Sequence, residues 1–231
     1  MGYILLEGGA EFGGMMKAPD QRAMELAGGT ESRISIIPAA AAPDENHERA
    51  GTNGIRWFHG LGATDVSVLP LIDRSSADDT TVVEALRQSK LIYLLGGFTH
   101  HLGQSLAGSD SQKAMVEALG NGAVVAGSSA GAMVLCEFYY NPRADEVVEG
   151  LNLVPGTCVL PHHNTFGKNW APRLKQLIPD TCLIGIDEET GMLDDGPLNS
   201  WHVYGKGKVT LYRGEKVDNF KSKDSVHFSI S

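Results

Sequence analysis

The chain has 231 residues, 42% hydrophobic and 20% charged, which is enough for a globular domain with a real core and no metal or disulfide staple. Nineteen Lys and Arg against 28 Asp and Glu give a net charge of −9, which repels nucleic-acid phosphates and anionic lipid. No basic run offsets that charge and no apolar run approaches the ~18–20 residues of a membrane span, so neither nucleic acid nor membrane is an expected partner.

In chain order, apolar runs of strand length alternate with amphipathic runs of helix length, the pattern of an α/β protein with a mostly parallel, doubly wound sheet in three layers. Tyr3–Leu6 reads as a first strand, followed by a Gly-rich turn at Gly8, Gly9, Gly13 and Gly14 and a helix near Asp20–Ala27. Strand Ile34–Ile37 ends at Pro38, and a helix over Asn46–His59 leads to strand Val66–Ile72. A helix from Asp79 to Gln88, with Asp or Ser as its cap, precedes strand Leu91–Leu95, which stops at Gly96-Gly97. A helix over Ser111–Leu119 and strand Ala123–Ala126 complete this part.

From about Leu151 the segments shorten. Val154–Leu160, Cys182–Ile186, Gly191–Leu193, Trp201–Tyr204 and Val209–Tyr212 read as β-hairpins added to the sheet edge, with helix Ala171–Ile178 interposed. The last ten or so residues are polar and expected to be peripheral. With no repeat, linker or compositional break, residues 1–231 read as a single domain. Three cysteines, Cys136, Cys158 and Cys182, lie far apart beside aliphatic residues, as buried thiols do in a reducing compartment. Met1-Gly2-Tyr3 runs into a short apolar stretch without a basic leader, and the expected location is cytoplasmic.

The sharpest motif is Gly127-Ser128-Ser129-Ala130-Gly131, directly after one predicted strand and before the helix-forming run Ala132–Leu135. A G-x-S-x-G elbow needs that context, because a tight strand-to-helix turn lifts the central serine clear of the sheet. Ser129 is then the candidate nucleophile, and the N–H of Ala130 can face an oxyanion. The plainer alternative is a small-residue turn without chemistry. A serine hydroxyl also needs a base. His162 and His163 follow Pro161 at a strand end, and His100 and His101 follow Gly96-Gly97 at another. Neither HExxH nor a ligand-spaced Cys/His set is present, so no metal and no cofactor is expected.

Several motifs occur in an order that resembles the S51 serine peptidases. They are Gly127–Ala132; Leu94–Gly97 with Thr99 and Leu102; Gly150–Pro155 leading to Pro161-His162; Ile184–Glu188 with Thr190; and Val203–Val209. That group includes cyanophycinase and the α-aspartyl dipeptidase, on a fold like the class I glutamine amidotransferases, itself flavodoxin-like. The resemblance implies Ser129 as nucleophile, His162 as base and the N–H groups of Gly97 and Ala130 as oxyanion donors. A one-residue slip would put His163 in the place of His162. The third member is implied to be Glu188, with Asp187 and Glu189 as neighbours in the same segment; the dipeptidase pattern points instead toward Asp145. Relatives of this kind suggest a homodimer.

The departures bear on substrate. After the histidine the cyanophycinase-like pattern carries several arginines, whereas here Phe166 takes the place of the first, Lys168 keeps one charge and Arg173 is displaced. Phe98 follows Gly96-Gly97 where the pattern has Asn or Asp. The expected substrate is therefore a small Asp-containing peptide or isopeptide, not cyanophycin, with Thr99, Lys168 and Arg173 as candidate substrate contacts. Two other readings stand beside it: an esterase or amidase using Ser129, His162 and Asp145, and an idle amidotransferase-like domain kept for binding.

Overall fold

In the computed structural model, which describes residues 2–197 and 200–227, the strands form two sheets. Five parallel strands make up one side of the larger: β1 (Tyr3–Glu7), β2 (Ile34–Ile37), β3 (Val66–Val68), β4 (Leu91–Leu94) and β5 (Val124–Ser128), in the order β3-β2-β4-β5-β1 from the sheet edge inward. From β2 the chain moves outward to β3, then returns across β2 to β4. Such a reversal opens a crevice beyond the carboxyl ends of the strands. Gly97, after β4, and Ala40, after β2, meet in that region, where the Phe98 N–H donates to the Ala40 carbonyl at 2.7 Å.

Both faces of these strands are apolar, as strands covered on two sides must be. Leu5, Tyr93 and Val124 pack in one cluster with α1 (Lys17–Leu26) and α2 (His47–Gly60). Their neighbours Leu6, Leu94 and Val125 point the other way, into a cluster shared with α3 (Thr80–Gln88), α4 (Thr99–Leu106), α5 (Asp110–Gly120) and α6 (Ala130–Leu135). Asp79 caps α3 by accepting from the N–H groups of Thr81 and Val82 at 2.8 and 3.2 Å, as expected. The helix α4 was not anticipated: its run Thr99–Leu106 has two adjacent histidines and an internal Gly103, where Tyr139 approaches so closely that a Cβ would lie 2.7 Å from its hydroxyl.

The expectation of hairpins at the sheet edge is only partly met. Three antiparallel strands, β10 (Thr190–Leu193), β11 (Trp201–Gly205) and β14 (Ser225–Val226), do extend the large sheet beyond β1. Val154–Leu160 (β8), Cys182–Ile186 (β9) and Lys208–Arg213 (β12) instead belong to a second sheet, completed by β6 (Cys136–Asn141), β7 (Glu146–Glu149) and β13 (Lys216–Lys221). In it β8 runs parallel to both β6 and β9, with α7 (Ala171–Leu177) in the connection to β9. The strand β6 escaped notice because it follows α6 with no turn residue between Leu135 and Cys136. Val66–Ile72 is likewise shorter than expected, since Pro70 has no N–H for a ladder bond. Of the polar C-terminal stretch, Val226 is buried in β14, paired beside β11 opposite Trp201, and residues 228–231 lie outside the described ones. No helix of the described residues is long and apolar enough to cross a membrane.

Beneath β1 lies a pair of fully buried acids. Glu7 accepts from the Tyr93 hydroxyl, and Asp20 accepts from the Trp57 indole N–H at 2.7 Å. One oxygen of each has no other donor, which is resolved if the two carboxyls hydrogen-bond through a proton. Burial pushes the Glu7 carboxyl well above the usual range and Asp20 up to about 7. In the unfolded chain Asp20 ionises near its ordinary value of 3.8, so its stabilising contribution is complete below that pH and is lost as pH climbs through about 7. The urea midpoint of the wild type is expected to fall between pH 5 and 8, and to fall less in Asp20→Asn; equal slopes for the two proteins would rule Asp20 out as the titrating group.

Candidate active site

Three backbone features set the position of Ser129. The strand β5 ends and α6 begins with Ser129 itself at φ 48° and ψ −107°, a left-handed conformation that a non-glycine residue holds only when its surroundings enforce it. Its N–H donates to the Glu7 carbonyl at 3.0 Å. The helix crosses the strand so closely that a Cβ on Gly127 would lie 2.4 Å from the Gly131 carbonyl carbon, and one on Gly131 would lie 2.3 Å from the Leu94 carbonyl oxygen. Both elbow glycines are therefore required by the crossing.

The serine meets a histidine from the other sheet. His162 follows β8, and its Nε2 lies 3.0 Å from Ser129 Oγ. Its Nδ1 lies 2.8 Å from Oε1 of Glu188, just after β9. With Nδ1–H donated to the carboxylate, Nε2 is left as the acceptor for the serine hydroxyl. His162 is itself at φ 48°, held by its N–H to the Gly8 carbonyl at 2.7 Å. Gly9, at φ +117°, passes so near the imidazole that a Cβ would sit 2.3 Å from Cε1. On the opposite side the Phe166 ring stacks on His162, with centroids 4.9 Å apart and planes 23° apart.

The other expected residues are placed as follows. His163 turns away from its neighbour: it is buried, with Nε2 2.8 Å from the Tyr212 hydroxyl and Nδ1 3.5 Å from Asp187 Oδ1. Burial outweighs the aspartate there and lowers its tendency to carry a proton. Asp187 also accepts the Lys208 N–H at 3.1 Å. Glu189 faces Lys206 and the Met15 N–H. Asp145 is taken up by Arg173 through two N–H donors, at 3.0 and 2.9 Å, and by the Tyr140 hydroxyl at 2.8 Å. These bonds hold its carboxylate below the usual range, and none of them involves His162.

A cleft of about 1000 Å³ opens beside Ser129. Gly97 and Thr99 line it, whereas Lys168 and Arg173 do not. Gly97, at φ +137°, lies against the Ala40 carbonyl, and no backbone bond among the described residues takes up its N–H or that of Ala130.

Two polar residues with long-range contacts went unnoticed in the sequence. Asn164 Oδ1 accepts the Glu188 N–H at 2.9 Å, fixing the segment that carries the acid. Glu11 joins the ends of β4 and β5: Oε1 accepts from the Gly96 N–H at 3.3 Å and Oε2 from the Ser128 hydroxyl at 2.8 Å. Its position in the turn after β1, two residues beyond Gly9, was the available signal, since sites of such sheets form in the crevice beyond the carboxyl ends of the strands.

The chain is similar to known proteins over most of its length. The chain is 30% identical over 228 residues to a cyanophycinase of Geminocystis herdmanii, covering 93% of this chain and 81% of that one. It is 29% identical over 200 residues to a cyanophycinase of Nostoc sp., covering 80% of this chain and 64% of the relative's length. The crystal structure of a peptidase from an acI-B1 Actinobacterium superposes with a TM-score of 0.88 at 29% identity, over 99% of this chain and 97% of the other. A putative peptidase E from Listeria monocytogenes shares the fold, with a TM-score of 0.61 at 19% identity over 96% and 98% of the two chains. The model of peptidase family S51 matches residues 4–196, and the chain belongs to that family.

Proposed function

We propose that the protein is a serine-type peptidase that cleaves a small Asp-containing peptide or isopeptide through an acyl-enzyme. The observation that carries this reading is the unbroken contact from Ser129 Oγ through both nitrogens of His162 to Glu188, at 3.0 and 2.8 Å. In this mechanism His162 Nε2 takes the proton as Ser129 Oγ attacks the scissile carbonyl carbon. Glu188 holds the imidazole in the required tautomer and stabilises the imidazolium. The N–H groups of Gly97 and Ala130 receive the oxyanion. Collapse of the tetrahedral intermediate breaks the C–N bond, and the proton on Nε2 passes to the departing amine. A water, deprotonated by the same nitrogen, then releases the acid and restores Ser129.

The surroundings of the histidine support a substrate other than the Arg-decorated polymer cyanophycin. Phe166 covers His162 where the cyanophycinase-like pattern has an arginine, and Arg173 is occupied by Asp145. An ammonium such as that of Lys168 does not reproduce the fork of a guanidinium on a carboxylate. The protein is proposed to act as a homodimer in the cytoplasm.

Two measurements test the mechanism. A fluorophosphonate probe is expected to label wild-type protein but not Ser129→Ala, and the same substitution should lower hydrolysis of aspartyl dipeptides by about 10³-fold or more; labelling at another residue, or unchanged hydrolysis, would overturn it. Glu188→Gln should cost roughly 10²–10⁴-fold in kcat. Asp145→Asn, far down an exposed ion pair, should stay within about twofold. The reverse ranking would name Asp145 as the acid and the esterase-type triad as the right one.

A further inference from the structure

The cleft beside Ser129 is walled by rings. From His162 outward, Phe166 lies 5.6 Å from Trp170, and Trp170 lies 5.5 Å from Tyr140, centroid to centroid. Phe166 is 47% exposed, unusual for a ring that could have been buried. Three residues after Tyr140, Arg143 lines the cleft with its guanidinium 5.1 Å above the Phe98 ring. Arg143 makes no ion pair among the described residues, in contrast to Arg173 nearby, which is held by Asp145.

We infer that this cleft selects peptides whose leaving residue is aromatic and carries the free C-terminal carboxylate, the ring lying along Phe166 and Trp170 and the carboxylate pairing with Arg143. The inference rests on the hydrolase reading above, and adds the side of the scissile bond. The imidazole that delivers a proton to the departing amine must lie next to the residue bearing that amine. Phe166 stacks on that imidazole, so it flanks the leaving residue. An aromatic side chain gains both apolar burial and ring-edge contacts there, and a guanidinium that lies on a ring but pairs with no acid among the described residues is available for a bidentate grip on a carboxylate. An arginine as leaving residue stacks on the rings as well, but it meets a like charge at Arg143 and no acid among the cleft-lining residues receives it.

Binding to Ser129→Ala separates selection from chemistry, because that variant holds a peptide without cutting it. Dissociation constants for Asp-Phe, Asp-Arg and Asp-Phe amide are measured by calorimetry on Ser129→Ala, alone and combined with Arg143→Gln or Phe166→Ala. Asp-Phe is expected to bind at least tenfold tighter than Asp-Arg, and amidation should cost about tenfold in Ser129→Ala but little once Arg143 is Gln. Phe166→Ala should shrink the preference for Phe over Arg. Equal affinity for Asp-Phe and Asp-Arg, or an amidation penalty that persists in Arg143→Gln, would overturn the assignment. If Ser129 of the wild type is labelled by the probe while these preferences are absent, only the inference falls. If the preferences hold and Ser129 stays unlabelled, the cleft still selects such peptides, but the hydrolase reading falls and with it the assignment of the aromatic residue as the leaving one.

Discussion

Where the chain turns at Gly8-Gly9 it has no room for a side chain. A Cβ on Gly8 would stand 2.1 Å from the Asp187 carbonyl oxygen, and one on Gly9 would enter the His162 ring. This turn fastens the two sheets together. The Gly8 carbonyl accepts the N–H of His162, its own N–H donates to the Thr190 carbonyl, and the Gly9 carbonyl accepts the N–H of Glu189. One residue earlier, the Glu7 carbonyl accepts the N–H of Ser129. Four consecutive contacts from the end of β1 thus hold the serine of the large sheet and the histidine and acid segments of the small one at fixed separations, and a larger residue at either glycine would force them apart.

The same crowding explains the unusual backbone around the site. Ser129 and His162 both stand at φ 48°, and each such residue costs about 1–3 kcal/mol unless its neighbours dictate it. The elbow glycines, the bond to Glu7 and the bond to Gly8 do so here. Packing of the strands against helices on both faces supplies the stability that this local strain draws on. The acidic pair under β1 adds a buried polar layer directly behind the strand that carries these contacts.

Much of the architecture was legible in the sequence because it rests on local rules. Double-sided strands such as Leu91–Leu94 and Val124–Val125 read as apolar runs, Asp79 reads as a cap, and a strand-elbow-helix pattern singles out Ser129. The division into two sheets was not legible, since β8 and β9 look alike whether they join one sheet or start another, and pairing is a matter of residues far apart in the chain. The choice between His162 and His163 is of the same kind. The chain reverses its exposure between them, sending one ring toward Ser129 and the other against Tyr212 and Gly185, and nothing in two adjacent histidines indicates which faces which way. Glu11 and Asn164 act through one or two isolated long-range bonds, which leave no periodic trace.

The division of the site between sheets has a consequence for the life of the chain. Ser129 leaves the end of β5, while His162 and Glu188 follow β8 and β9 of the second sheet. A chain emerging during synthesis completes β5 and the elbow well before the residues that bring His162 to the serine. Until the second sheet docks, the Ser129 hydroxyl lacks its contact with the His162 imidazole, and in the mechanism proposed above it is then an ordinary alcohol. Under that mechanism reactivity is a property of the finished tertiary structure, because the nucleophile and its base are carried by different sheets.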